Sequence, residues 1–479
     1  MGAQLSTHDA ADKALVDRLE GLQVRSTSND FVHVSKDGSQ SEKQALSRLI
    51  HREPEGISVK LVEDWQSTFL KDPKNRLALS VLSNADPRTV LTSTPATLSD
   101  PQIFNVRIPL EGTPITNQRS SGRCWLFAST NVFRVALARR YNLAGFELSQ
   151  SYLFFWDKLE KANWFLEQAI ATAADHDLDS RLVQHLLGDL ISDGGQWDMV
   201  YNLVDKYGLV PQSLYPDSWN AQNSGVLNSV LKTKLREYAL TLRSLGAPPH
   251  PHEAFVWTYE DKDGKAHELT STPRAFARDI SSSQCRVSSA TIAGMVSLVH
   301  DPRHDPLTLL TVDRLGNIVG GRPVTYVNVS ISALKAACVR QLRAGLPIFF
   351  GSDVGKFSSS RSGVMDLNLV NYEVGFNVSL LAMSKADRLR TGESQMTHAM
   401  VLTAVHIDDK TGRSVRWRVQ NSWGEAAGDK GWFVMSDAWM DEFVYQAVID
   451  PRFLDKETKD VLRQEPVVLP LWDPMGSLA

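Results

Sequence analysis

Cysteine is scarce in this 479-residue chain, which has only Cys124, Cys285 and Cys338. An odd, sparse set argues against a disulfide framework and favours a reducing compartment. Excess charge of one sign is missing as well: 51 Lys+Arg stand against 55 Asp+Glu, a formal net charge of -4. That balance gives no reason to expect a nucleic-acid or membrane-surface binder, although a local basic patch stays open. No apolar run approaches a membrane span, and residues 1–30 hold no signal-peptide core. Asp9, Asp12, Asp17 and Glu20 make the start too acidic for a typical mitochondrial presequence. Histidines with ligand spacing to a cysteine or carboxylate cluster are lacking too, so neither a metal nor a cofactor is called for.

What is present is 42% hydrophobic residues, enough for two to three domains. Met1, Gly2 and Ser6 match the N-myristoylation pattern, with chance the competing explanation for so short a match. Apolar spacing predicts a helix over 8–23, a polar loop over 26–43, and helical structure from Ser58 to Leu82 restarting at Asp72-Pro73. Further helices are expected over 121–142, 148–170, 180–208 (broken at Asp193-Gly194-Gly195) and 226–245. Trp125, Ala128, Val132, Val135 and Ala136 give the first of these one apolar face. Short β-rich runs at 324–329, 348–352, 399–405, 415–419 and 432–435 follow, so helices precede strands and an α+β enzyme is expected.

Cys124 is the candidate nucleophile. A thiolate is the reactive form of cysteine, and a thiol with a pKa of about 8.5 needs help to reach it. The partial positive charge of a helix N-terminus is one source of help, and a nearby imidazole is another. Gln118, six residues earlier, can set a side-chain amide beside the Cys124 backbone N–H, forming a pair of donors for an oxyanion. Cys338 sits in a helical stretch, Leu334–Leu342, and reads as packing. Cys285 lies in the polar segment Ser281–Arg286 with nothing nearby to activate it.

The run from Gln118 to Ser129, with Gly122-Arg123-Cys124-Trp125 at its heart, resembles the active-site segment of papain-like cysteine peptidases. Thr397-His398-Ala399-Met400 and Gln420-Asn421-Ser422-Trp423-Gly424 resemble that family's histidine and asparagine segments, in the expected order. Glu147–Tyr152 and Asp193-Gly194-Gly195 resemble its helix and cleft-wall segments. The resemblance implies that His398 accepts and returns the Cys124 proton, that Asn421 orients the imidazole, and that Trp423 shields that bond. It also implies an already ionised thiolate–imidazolium pair. A transglutaminase-like acyl transferase is disfavoured by Asn421 in place of Asp.

The interval from Cys124 to His398 is on the order of 130 residues longer than the roughly 130–150 of secreted members. Asp72–Ala78, Gly316–Pro323, Gly351–Phe357 and Leu471–Met475 resemble the bleomycin hydrolase branch of the family. That resemblance implies a two-lobed papain-like α+β fold, helical lobe and β-barrel-like lobe, with a large helical hook insertion. The expected divisions are an N-terminal extension (1–55), a helical lobe (56–224), an inserted hook (225–325), a β-rich lobe (326–465) and a C-terminal arm (466–479). It further implies a homohexamer in the cytoplasm, with a mitochondrial form open. The Ala479 carboxylate would meet the free amine of a peptide substrate, making the enzyme an aminopeptidase. Hydrolysis of bleomycin and homocysteine thiolactone is implied too. Some branch members bind nucleic acid; here Arg119, Arg123, Lys356, Arg361, Arg388 and Arg390 are the candidate charges. A hexameric nucleic-acid-binding or regulatory protein is the competing function.

Overall fold

The computed structural model describes residues 23–26, 32–35, 56–242, 255–271, 276 and 289–478. Residues 8–22 of the helix expected over 8–23, together with Gly2, Cys285 and Ala479, lie outside them, and Gln23 opens a strand. The chain divides into two compact units, residues 1–91 with 372–378, and residues 92–371 with 379–479.

In the first unit, strands β1 (Gln23–Ser26) and β2 (Val32–Ser35) pair antiparallel, so part of the stretch expected as loop is strand. Helices Val59–Lys71 and Pro73–Leu82 follow. Ser58 caps the first. Asp72 accepts from the Lys74 N–H while Pro73 takes the first helical position, so the interruption is a cap-and-restart.

The second unit is built on a 12-stranded mixed sheet. Its path runs from β10 (Ser358–Ser359) and β11 (Val364–Met365) through β14 (Trp432–Ser436), β13 (Ser414–Gln420), β12 (His398–Ile407), β9 (Ile348–Ser352), β15 (Val444–Ile449), β6 (Val296–Val299) and β8 (Thr325–Asn328) to β7 (Thr308–Val312). Strand β3 (Val106–Arg107) pairs with β12, and β4 (Phe255–Glu260) and β5 (Ala266–Ser271) form a separate antiparallel pair. The five expected strands all form. Strands β6 and β7, inside the span expected as the hook, are members of this sheet. So is β16 (Val467–Leu469), at the root of the expected arm, which pairs parallel with β7.

The helices Cys124–Arg140, Gln150–Ala171, Arg181–Gly188, Trp197–Tyr207 and Gly225–Leu242 match the periodic runs. The Cys124 helix departs from expectation, because it is buried on every side from Cys124 to Ala138. Its polar residues are therefore paired internally. Ser129 and Thr130 hydroxyls donate to the carbonyls of Trp125 and Leu126 at 2.7 Å, Asn131 donates to Thr116, and Arg134 donates to the carbonyls of Pro114, Phe146 and Gly112. Cys338 lies wholly buried in the helix Ile331–Arg343, as a packing residue would.

Candidate active site

The Cys124 helix begins at its cysteine, so the first N–H groups, which have no partner one turn back, surround the thiol. Arg123 precedes it with its guanidinium fully buried, bound at both nitrogens to Asp217 at 2.9 Å and lying over the rings of Phe127 and Phe154. Its Nε donates to Ser121 Oγ at 2.9 Å.

The preceding loop is bound to the Asn421 loop. Gln118 N–H donates to the Ser422 carbonyl at 2.9 Å, Asn117 and Trp423 form an antiparallel bridge, and the Gly424 N–H donates to the Thr116 carbonyl. The Gln118 side chain is fixed at both ends: Oε1 accepts from Ser422 Oγ, and Nε2 donates to the Ser121 carbonyl, each at 2.7 Å. One of the two Nε2 protons is used there, and the other remains for a ligand.

His398 opens β12, and the backbone N–H of the next residue, Ala399, is bonded to the Cys124 thiol. Thiol and imidazole thus come from adjoining elements. His398 Nε2 lies 2.8 Å from Asn421 Oδ1. The Ser422 N–H donates to that same Oδ1 at 2.8 Å, which identifies it as the amide oxygen. His398 Nε2 must then carry the proton, and in the neutral ring Nδ1 keeps the lone pair. Trp423 stacks on His398, ring centroids 4.8 Å apart.

Burial pushes the Cys124 thiol up to about 11, against backbone N–H groups at Ala399, Trp125 and Cys124 that pull it down. Burial also pushes His398 down to about 4, with the Asn421 bond opposing it. Both shifts come first from desolvation, which penalises charge, so each group taken alone is neutral before substrate enters. Burial thus opposes the ionised pair expected from the sequence, which must draw on the attraction between its own two charges.

Asp193-Gly194-Gly195 packs beside Cys124 through the residues that flank it, Gly122 and Trp125. Trp125 Nε1 donates to the Asp193 carbonyl at 2.7 Å, and a Cβ on Gly195 would come within 2.5 Å of the Trp125 ring, so glycine alone fits there. The Asp193 carboxylate accepts from Lys158 (2.6 Å), Asn228 (2.8 Å), the Gly122 N–H (3.1 Å) and Ser224. Burial acts to raise its pKa, but Lys158, Ser224 and Asn228 override that and hold it well below the carboxylate range. Sequence reasoning singled out the wall but not these partners, because each is distant in the chain.

The C-terminal segment is anchored through Leu478. Arg303 binds Asp473 at 2.7 Å, Tyr326 Oη donates to the Met475 carbonyl, and Arg181 lies 4.0 Å over the Trp472 ring. Ser477 is held on two sides: Gln196 Nε2 donates to its carbonyl at 2.6 Å, and its hydroxyl donates to the Met396 carbonyl at 2.7 Å. Gln196 follows the glycine wall and Met396 lies two residues before His398. Ser477 therefore bridges the residue after the glycine wall and the segment that leads to His398.

Of the candidate channel charges, Arg123 and Arg388 are buried and paired, with Asp217 and Glu442. Lys356 pairs with Glu393 and Arg390 with Asp387, while Arg119 and Arg361 are exposed. No group of three metal-binding side chains occurs among the described residues, and no described helix is long and apolar enough to cross a membrane.

A cysteine and an imidazole brought together at a helix N-terminus on a mixed α and β scaffold point to thiol-dependent acyl transfer, and the comparisons identify the family. Residues 56–249 and 244–476 match the Peptidase C1-like family; the chain belongs to it and is a cysteine peptidase. Within that family it is of the bleomycin hydrolase type. It is 42% identical over 469 residues to cysteine proteinase 1, mitochondrial, of Saccharomyces cerevisiae, covering 90% of this chain and 95% of that protein. It is 39% identical to bleomycin hydrolase of Gallus gallus, covering 88% and 99%. The solved structure of PepW from Lactobacillus rhamnosis HN001 is similar, with a TM-score of 0.82 and 37% identity, covering 88% of this chain and 99% of that one.

Proposed function

We propose that the chain is an aminopeptidase that removes N-terminal residues through a Cys124–His398–Asn421 mechanism. The observation that carries the exopeptidase reading is Ser477, held between Gln196 and Met396 at the two margins of the site. A C-terminal segment held there would leave room in the cleft for only the first residue of a substrate, which selects peptides with a free N-terminus.

The chemistry follows from the tautomer. His398 Nδ1 takes the Cys124 proton as Sγ attacks the scissile carbonyl carbon, so both charges arise together, beside the helix N-terminus. The carbonyl oxygen becomes an oxyanion and accepts from the Cys124 N–H and the second Gln118 Nε2 proton. As the C–N bond breaks, the imidazolium returns its proton to the leaving amine. Water then gives a proton to His398 and attacks the thioester, releasing the acid and the thiol. Asn421 holds Nε2–H throughout, and Trp423 covers that bond. Hydrolysis of a carboxamide such as bleomycin's, or of homocysteine thiolactone, is the same acyl transfer with ammonia or a thiol leaving.

The test compares fluorogenic aminoacyl amides with free and acetylated amines, using wild type, Cys124→Ala and a variant lacking residues 476–479. Cleavage of free amines alone is expected, lost in Cys124→Ala and extended to blocked substrates by the deletion. Unchanged selectivity after the deletion would remove the arm as a gate, and cleavage surviving in Cys124→Ala would remove the mechanism.

A further inference from the structure

Four consecutive residues, Ser394–Thr397, lead into His398, and all four are fastened to the end of strand β9. A Cβ on Gly351 would come within 1.9 Å of Met396 Sδ, so the absent side chain there is what lets Met396 lie against the strand. The Ser352 carbonyl accepts the Thr397 N–H at 3.0 Å, and Ser352 is the register partner of His398. Asp353, the next residue, is buried, and its carboxylate gathers the rest. Oδ2 accepts from Ser394 Oγ at 2.8 Å, Oδ1 accepts from Thr397 Oγ1 at 3.3 Å, and the Gln395 N–H donates to the same carboxylate. Tyr445 Oη donates to Ser394 Oγ at 2.6 Å, tying the cluster to β15. The Asp353 N–H is itself held by the Phe443 carbonyl at 3.0 Å.

The segment so fixed carries two separate features. At one end is His398, whose imidazole must face the Cys124 thiol. In its middle is the Met396 carbonyl, which accepts the hydroxyl of Ser477. We infer that Asp353 is a positioning residue that sets the His398 imidazole and the C-terminal arm together, through the Ser394–Thr397 segment. It touches neither substrate nor the reacting atoms. Because three donors converge on one carboxylate, replacing it with an amide presents at least one of them with N–H in place of an acceptor. The segment then loosens, and base and arm shift in concert. A misplacement of about 1 Å suffices to cost on the order of a hundredfold in an oriented reaction.

The arm half of this inference rests on the aminopeptidase reading above, so the experiment separates the two. Asp353→Asn is compared with wild type in two measurements: the rate of Cys124 alkylation by iodoacetamide near neutral pH, and the ratio of acetylated to free aminoacyl-amide cleavage. Alkylation should slow about tenfold or more, because the thiol loses an aligned proton acceptor, and the ratio should rise about tenfold as the arm loosens. A residue that only stabilises the fold would lower total activity without moving that ratio. The double variant Ser394→Ala with Thr397→Val, which removes two donors and leaves the carboxylate, should move both readouts in the same direction and serves if Asp353→Asn does not fold. Folded variants with wild-type alkylation and wild-type selectivity overturn the proposal, as does movement of only one readout. Wild-type enzyme without preference for free amines sinks the aminopeptidase reading by itself, and alkylation then judges Asp353 independently.

Discussion

Arg123 adjoins Cys124, and its guanidinium is fully buried with Asp217 as its carboxylate partner. Replacing Asp217 with alanine removes two charge-assisted hydrogen bonds and leaves a cation between Phe127 and Phe154 with only Ser121 and the Gln118 carbonyl to face. Breaking a buried pair in this way costs roughly 3–5 kcal/mol. The Asp217 side chain is 16% exposed, so water can enter the vacated space, which places the expected loss near the lower end, about 3 kcal/mol. The comparison that isolates the cause is the double variant Arg123→Met with Asp217→Ala. It removes the stranded charge and sets an apolar side chain between the two rings, so it should be more stable than Asp217→Ala alone. Urea unfolding followed by tryptophan fluorescence and far-UV circular dichroism gives the free energies where the two probes coincide. A loss below about 1 kcal/mol for Asp217→Ala, or a double variant less stable than the single, would refute the assignment of a desolvated charge pair.

The oxyanion and imidazole assignments make their own predictions. Gln118→Ala should lower kcat on the order of 10²–10³-fold with little change in KM, since the second Nε2 proton is needed only once the oxyanion forms; an equal rise in KM would assign Gln118 to substrate binding instead. The folded state keeps His398 neutral down to about 4, whereas an unfolded imidazole protonates near 6.5. Stability from this group is therefore complete above about pH 6.5 and is lost as pH falls toward 4, by roughly 2 kcal/mol between pH 7 and pH 5. His398→Gln should reduce the acid-induced loss by that amount in urea titrations at the two pH values; an unchanged slope would mean that the resting imidazole is already protonated beside a thiolate.

Much of the site was legible because its signals are local. Cys124 stands at the start of a periodic run, and Asn421-Ser422-Trp423-Gly424 and His398 each sit in a short, recognisable segment that the fold delivers to the same place. What the sequence hid was pairing over distance. Arg123 read as a candidate channel charge because its partner lies 94 residues away. The Cys124 helix read as one-faced because a 3.6-residue period detects apolar side chains, whereas its other faces bury Ser129, Thr130, Asn131 and Arg134. Strands β6, β7 and β15 escaped notice although two of them are buried at every position, since a short apolar run carries no alternation to mark it. The burial that opposes charge on Cys124 and on His398 was hidden too, because desolvation depends on packing that no motif records.

The Asp193 carboxylate bears on how the long form of this architecture could be shortened. Two of its four partners belong to the residues leading into and opening the helix Gly225–Leu242, at the start of the span expected as the inserted hook, and a third is the Gly122 N–H close to Cys124. The added span is thus not a removable module. Cutting it away at residue 224 would strip Asn228 from a carboxylate that also holds the loop before Cys124, and Lys158 would then face that carboxylate with fewer neutral donors to share it. A chain trimmed there would need a replacement for that donor at the glycine wall before the loop ahead of Cys124 could settle.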